Sequence, residues 1–293
     1  MRVLIAGCGY VGTALGQELA KSGHEVWGIR RDPAALHLLE SAGIKPLRAN
    51  LLFGDSLKNI PAVDSVVFCQ APSGKNDDYF STYFRATKNL LDLLPTKAPL
   101  RKIVLISSTS VYSTRDGSWV NETTDPMSQN HLDREAQENA KVLLDAERLV
   151  LSSGHPAIVL RLAGIYGEGR NRIQSILDGR VKPVFSDVFM NRIHRTDIVR
   201  AIRLLLEKGQ PGEIYLGCDD APSTQKEFYT WVFEKLSLPL PGDINAAETL
   251  AAHGSNKQCS NSKIKALGLK LHYPNFKEGY APLIKDLTKN CLT

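Results

Sequence analysis

The sequence predicts an α/β fold on a doubly wound parallel sheet. Three observations predict it: short continuous apolar runs recur along the 293 residues, helical patterns separate them, and a glycine-rich turn follows the first run. The runs lie at 2–6 (RVLIA), 25–29 (EVWGI), 65–70 (SVVFCQ), 102–107 (KIVLIS) and 157–162 (AIVLRL). A strand that is apolar throughout must be covered on both faces, and helices crossing over between parallel strands provide that cover.

The first strand runs into Gly7-Cys8-Gly9-Tyr10-Val11-Gly12, a G-x-G-x-x-G between a strand and a helix. On that helix Val11, Ala14, Leu15 and Leu19 share one face, and Gly23 ends it. The strand–helix–strand unit is complete by residue 29. In such a unit the first glycine makes the tight turn, the second lets backbone approach a pyrophosphate, and the third lets the helix pack closely. Unpaired N–H groups at the helix start add positive potential. Gly7, Gly9, Tyr10, Val11 and Gly12 are therefore expected to hold a dinucleotide cofactor.

At the end of the second strand, where a carboxylate would accept ribose hydroxyls, stand Arg30 and Arg31. Guanidinium groups suit a 2′-phosphate, so NADP(H) is expected in preference to NAD(H). Asp32 is the residue that would serve NAD(H), but Pro33 after it assigns it to the start of the next helix.

Beyond residue 163 the rhythm weakens. One further strand is predicted at 213–217 (EIYLG), preceded by a helix that Thr196 or Asp197 would cap, and a last helical pattern covers 224–236. The segment 239–248 contains Pro and Gly and reads as a loop. The expected organisation is a cofactor domain over 1–162 and a smaller substrate-binding region over 163–293, interwoven because the late strand returns to the main sheet.

Composition narrows the function classes. With 43% hydrophobic and 23% charged residues the chain can bury a core and is not disordered. The net charge of +5 is spread among acidic residues, which argues against a nucleic-acid partner but suits an anionic small molecule. The apolar run before Gly7 is too short for a secretory signal or a membrane span, so a cytoplasmic location without membrane association is expected. Five widely spaced cysteines without a CxxC pair indicate neither a disulfide framework nor a metal site.

Four further segments resemble the extended short-chain dehydrogenases/reductases, the group that includes NAD(P)-dependent sugar-nucleotide epimerases and dehydratases. They are Ile106-Ser107-Ser108-Thr109-Ser110-Val111-Tyr112, Leu160-Arg161-Leu162-Ala163-Gly164-Ile165-Tyr166-Gly167, Arg192-Ile193-His194-Arg195-Thr196-Asp197-Ile198 and Glu213-Ile214-Tyr215-Leu216-Gly217. The resemblance implies a Rossmann sheet of about seven strands in the order 3-2-1-4-5-6-7. It also implies a catalytic hydroxyl at Ser108 and adenine contacts at Asn50 and Leu51. Two long helices near 78–94 and 131–153 would form a homodimer interface by analogy with relatives.

The resemblance breaks at the chemistry. Relatives that move a hydride carry Tyr-x-x-x-Lys on the helix after the fifth strand; here the matching positions hold Asn139 and Leu143. Lys141 falls on a neighbouring position that is often basic and is expected to contact the cofactor, and a register shifted by two pairs Gln137 with Lys141. The one literal Tyr-x-x-x-Lys, Tyr273 to Lys277, contains Pro274 and lacks a helical context. This pattern is similar to the branch called atypical short-chain dehydrogenases.

Acid/base work would then fall to Ser108, Tyr166 or His194, with Tyr112 and His131 as weaker candidates. Arg170, Arg172 and Arg192, with Arg195, would border the substrate and hold a phosphate or carboxylate. The expected function is an NADP(H)-dependent oxidoreductase acting on a small carbonyl or sugar-derived substrate. The alternatives are an NAD(P)-binding sensor without redox turnover and a sugar-nucleotide epimerase or dehydratase using unusual acid/base residues.

Overall fold

The computed structural model describes residues 1–72, 78–94, 100–127, 134–180, 186–240 and 255–290. In chain order the main elements are β1 (Arg2–Ala6), α1 (Tyr10–Lys21), β2 (Glu25–Arg30), α2 (Leu36–Ser41), β3 (Lys45–Arg48), β4 (Ser65–Phe68) and α3 (Ala86–Leu91). They continue with β5 (Lys102–Ser108), α4 (Arg134–Leu151), β6 (Ala157–Leu162), α5 (Arg195–Lys208), β7 (Ile214–Gly217), α6 (Gln225–Lys235) and α7 (Phe276–Asn290). Strands β1 to β7 form one parallel seven-stranded sheet in the order β7-β6-β5-β4-β1-β2-β3, the order the resemblance implied.

Alternation along the strands divides the core into two layers. Val3 and Ile5 pack on one face with Leu15 and Leu19 of α1 and Ile202 and Leu205 of α5. Leu4 and Ala6 point the other way, toward Leu90 of α3 and Val150 of α4. Each fully buried Leu, Ile or Val contributes about 1.5–3 kcal/mol, so strands apolar on both faces are stable only between two helical layers. The late strand β7 pairs with β6 in the register Ile214↔Val159, so residues beyond 163 supply both a strand and a covering helix to the first unit.

Outside the sheet, the chain closes over the strand ends with short pairings: 119–120 with 258–259, 164–166 with 192–194, and 189–190 with 223–224. Helices α6 and α7 share a separate aromatic cluster with Tyr166, built from Phe228, Tyr229, Phe276 and Tyr280.

Two local expectations are corrected. The cap of α5 is His194, whose Nδ1 accepts the Thr196 N–H at 3.2 Å; Asp197 instead turns inward and accepts the N–H groups of His272 and Tyr273 at 2.5 and 2.9 Å. The helix expected over 78–94 begins with a π-helical stretch, Phe80–Arg85, before continuing as α3. His131 and most of the 239–248 loop lie outside the described residues. Among the described residues no helix is long and apolar enough to cross a membrane, and no group of three or more His, Cys, Asp or Glu could hold a metal ion.

Candidate functional site

The carboxyl ends of β1 to β6 open onto one cleft of ≈ 1440 Å³. Ligands of parallel sheets collect at this edge, because the connections on either side of a reversal in strand order diverge there. Gly7, Gly9, Tyr10 and Val11 line the cleft, with Arg30, Arg31, Asn50 and Leu51 beside them.

Each glycine of the turn has its own constraint. Gly7 sits at φ +91°, and a Cβ there would lie 2.6 Å from the backbone N of Gln70. Gly12 does not line the cleft; a Cβ on it would lie 2.5 Å from the Gly7 carbonyl oxygen, so its lack of a side chain sets how closely α1 approaches β1. Gly9 caps α1 without a side-chain hydrogen bond, and the helix ladder starts at Thr13 N–H donating to Gly9 O at 2.9 Å. The N–H groups of the first turn therefore lack intrahelical acceptors and face the cleft, a cradle suited to a pyrophosphate.

At the mouth, Arg30 donates from Nη1 to the carbonyl oxygen of Cys8 at 3.0 Å, which ties the end of β2 to the glycine turn. Asp32 caps the next turn, accepting the Ala34 N–H at 2.9 Å with Pro33 at its first position, so its carboxylate is engaged by backbone. Asn50 Oδ1 likewise accepts the Leu52 N–H at 3.0 Å, which fixes the loop that presents Asn50 and Leu51.

Ser108 ends β5 on the cleft wall, where its hydroxyl oxygen accepts the Ser110 N–H at 3.1 Å. One lone pair is thereby used and the O–H proton is left for a ligand.

Of the other acid/base candidates, Tyr166 lines the cleft and His194 and Tyr112 do not. The Tyr166 ring borders the cleft but stacks on Tyr280 at 4.7 Å, and its buried hydroxyl has no hydrogen-bond partner among the described residues. It lies against Gly279, where a Cβ would come within 1.9 Å of it, and burial pushes its pKa far up. His194 is absent from the cleft lining: its Nδ1 caps α5, its Nε2 is buried without a hydrogen bond, and burial pushes its pKa down. Tyr112 is buried, accepting from Arg161 Nη1 and donating to the Asn121 carbonyl, both at 2.8 Å.

Lys141, expected beside the cofactor, is exposed and outside the cleft. Helical phase explains this: Ala140, Leu143, Leu144 and Glu147 form the buried face of α4, and two residues from Leu143 the helix has turned to solvent. Tyr273 precedes α7 and stacks edge-on against His194 at 4.2 Å, so Tyr273 and Lys277 do not form a dyad on one helix.

Of the four arginines expected on the substrate side, Arg170, Arg172 and Arg192 line the cleft, whereas Arg195 lies outside its lining and pairs with Glu168 at 2.8 Å. Arg170 lies 5.7 Å over the Tyr10 ring, and Arg172 donates to Tyr229 Oη at 2.7 Å. Arg192 is buried over Phe228 at 4.1 Å and donates to Ser223 Oγ at 2.8 Å, with Nη2 unpartnered.

Four cleft residues were missed by sequence reasoning. Tyr79 and Tyr83 face the cleft from the stretch packed against α4, one helical turn apart with rings at 5.1 Å. Their i,i+4 spacing with Ala86 was the available signal. Burial pushes the Tyr83 phenol up to about 12, with Arg170 pulling it down. Gln225 and Lys257 carried no local signal, because long-range pairings bring them in.

With this geometry the comparisons fall into place. Residues 3–217 match the model of the NAD dependent epimerase/dehydratase family. Protein YeeZ of Escherichia coli (strain K12) is 28% identical over 286 residues, covering 94% of this chain and 97% of the relative. A Methylobacillus flagellatus structure described as a candidate NAD-dependent epimerase/dehydratase is 28% identical, with a TM-score of 0.77 and 98% of each chain covered. The dTDP-glucose 4,6-dehydratase of Bacillus anthracis, solved with NAD, shares the fold at a TM-score of 0.79, with 18% identity and coverage of 99% of this chain and 97% of that one.

Proposed function

Because the chain belongs to the NAD dependent epimerase/dehydratase family, we propose that it is an NADP(H)-dependent oxidoreductase acting on a small carbonyl or sugar-derived substrate. The observation that carries this reading is the glycine cradle opening onto the same cleft as Ser108. Gly7 and Gly12 admit no Cβ, and the uncapped start of α1 faces the space a dinucleotide would fill. Arg30 and Arg31 support NADP(H) over NAD(H), because they border the cleft while the Asp32 carboxylate is engaged in capping.

The bound nicotinamide would supply or accept the hydride, and the protein positions the substrate and moves a proton. Ser108 orients the reacting oxygen through its unspent O–H. The proton passes through Tyr83, the phenol that the cleft presents from the segment packed on α4, in place of the family's tyrosine. Burial and the neighbouring Tyr79 raise its pKa to about 12, so it enters as a proton-donating phenol, and Arg170 opposes that rise by favouring the phenolate.

A non-redox sensor of the cofactor is favoured by one observation: Leu143 is buried in the core and neither Asn139 nor Leu143 lines the cleft, so the usual dyad has no counterpart at its own positions. An epimerase or dehydratase that keeps its cofactor internal is the third reading. A panel of aldehydes, ketones and sugar nucleotides, followed by NADPH absorbance and product analysis, separates them. The oxidoreductase reading expects substrate-dependent NADPH consumption that Tyr83→Phe abolishes. Cofactor binding without turnover supports the sensor, and conversion without net NADPH change supports the epimerase.

A further inference from the structure

The charges lining the cleft are unevenly distributed. Among the described residues its lining carboxylates are Asp32 and Asp78, which belong to the loop after β2 and the segment before the π-helical stretch. Among the described residues, the segments beyond Ser108 that line the rest contribute Arg170, Arg172, Arg192 and Lys257, and no Asp or Glu.

Lys257 is the most costly of these cations. It is 5% exposed, and its Nζ donates to two neutral oxygens, the Tyr112 carbonyl at 3.1 Å and Ser255 Oγ at 2.9 Å. No carboxylate lies within ion-pair distance of it among the described residues. An ammonium kept out of water without an ionised partner either gives up its proton or gains an anion; burial pushes the Lys257 pKa down, and an oxyanion at this position would hold the charged form. Its acceptor, Tyr112, ends the turn that begins at Ser108, so Lys257 stands beneath the reacting end of the cleft.

The placement is built. Asn191 donates from Nδ2 to the Lys257 carbonyl at 2.9 Å and accepts the Cys259 N–H at 2.7 Å, and Asn256 Oδ1 accepts the Phe189 N–H at 2.9 Å. These bonds fasten the segment carrying Lys257 to the one carrying Arg192. Arg192 is 6% exposed and forms no ion pair among the described residues. Burial pushes the pKa of the neighbouring Asp219 up to about 8, with Arg192 pulling it down, and the two form no ion pair. Arg192 and Arg172 are close enough to repel each other, a repulsion that an anion between them would relieve.

We propose that the inner end of the cleft receives an acid group of the substrate, a carboxylate or a phosphate ester, with Lys257 as its buried charge and Arg172 and Arg192 as flanking cations. This rests on the reading of the cleft as a cofactor-and-substrate site and narrows the substrate to a small organic acid or sugar phosphate. Carboxylate and phosphate share the chemistry of binding, an oxyanion that accepts charge-assisted hydrogen bonds.

Calorimetric titration of the full chain tests it, with inorganic phosphate and malonate as separate probes, with and without saturating NADPH. Saturable binding of at least one probe is expected, unchanged by NADPH, and weakened about tenfold or more in Lys257→Met. Phosphate alone would identify a phosphorylated substrate, and malonate alone a carboxylic acid. Arg172→Gln, which alters an exposed side chain, is expected to weaken the same probe if Lys257→Met does not fold. The proposal is overturned if neither probe binds while NADPH does, if both variants bind as the wild type does, or if NADPH displaces the probe. Absence of NADPH binding would overturn the functional reading instead, whatever the probes do.

Discussion

Glu147 of α4 and Arg161 of β6 close a two-pronged ion pair, with Arg161 Nε to Oε1 at 3.0 Å and Nη2 to Oε2 at 2.7 Å, both side chains 3% exposed. Ser107 donates to the same carboxylate at 2.6 Å, and Arg161 also reaches Tyr112. Through this pair α4 pins the sheet at β6. Removing one partner leaves the other charge buried, so Glu147→Gln is expected to destabilise the fold by about 3–5 kcal/mol. Urea unfolding measures this; a loss under about 1 kcal/mol would show that the pair is not structural.

His194 is expected to behave as a helix cap. His194→Ala removes the acceptor of the Thr196 N–H and costs about 1 kcal/mol, whereas His194→Asn, a good capping residue, restores most of it. NADPH affinity stays unchanged in both. A large loss of turnover in His194→Asn with full stability would return His194 to the chemistry.

Asp219 sets a pH dependence. Burial raises its folded-state pKa from 3.8 to about 8, opposed mainly by Arg192 and the Ala221 N–H and reinforced by Asp220 and Asp197. Between those values the unfolded chain has released this proton and the folded chain has kept it, so stability falls as pH rises through the window. Asp219→Asn removes that loss. Its stability relative to wild type is expected to rise from pH 5 to pH 8; a constant or falling difference would contradict the assignment.

Gly12→Val places a side chain against the Gly7 carbonyl, 2.5 Å from the site of its Cβ. The helix must back away from the strand, and the cradle opens. NADPH affinity is expected to fall at least about a hundredfold, read by fluorescence titration, an effect comparable to other overpacked sites.

What was legible follows the range of the interactions. The strands of the sheet centre read directly, because Val3–Ala6, Val66–Phe68 and Ala157–Leu162 are buried on both faces and so are continuous in sequence. The edge strand β3, Lys45–Arg48, has exposed ends and a proline and shows no such run. The glycine turn was visible as a pattern because the close approach of Gly12 to Gly7 is local, whereas the constraint on Gly7 comes from Gln70 on the neighbouring strand's end. The cap that occupies His194 lies only two residues away at Thr196, but the surroundings of Tyr166 were not legible, because Gly279 and Tyr280 of α7 reach it only on folding. Lys257 was invisible for the same reason: a single lysine carries no signal until Asn191 and the Ser108–Tyr112 turn surround it.

The central claim is that the glycine cradle, with Arg30 and Arg31, binds NADP(H). Calorimetric titration with NADPH and NADH, on the wild type and on an Arg30→Ala, Arg31→Ala double variant, tests it most directly. Saturable one-to-one binding is expected, with NADPH tighter than NADH and that preference lost in the variant. No saturable binding of either nucleotide would contradict the account, and tighter NADH binding would contradict the assignment to the arginines.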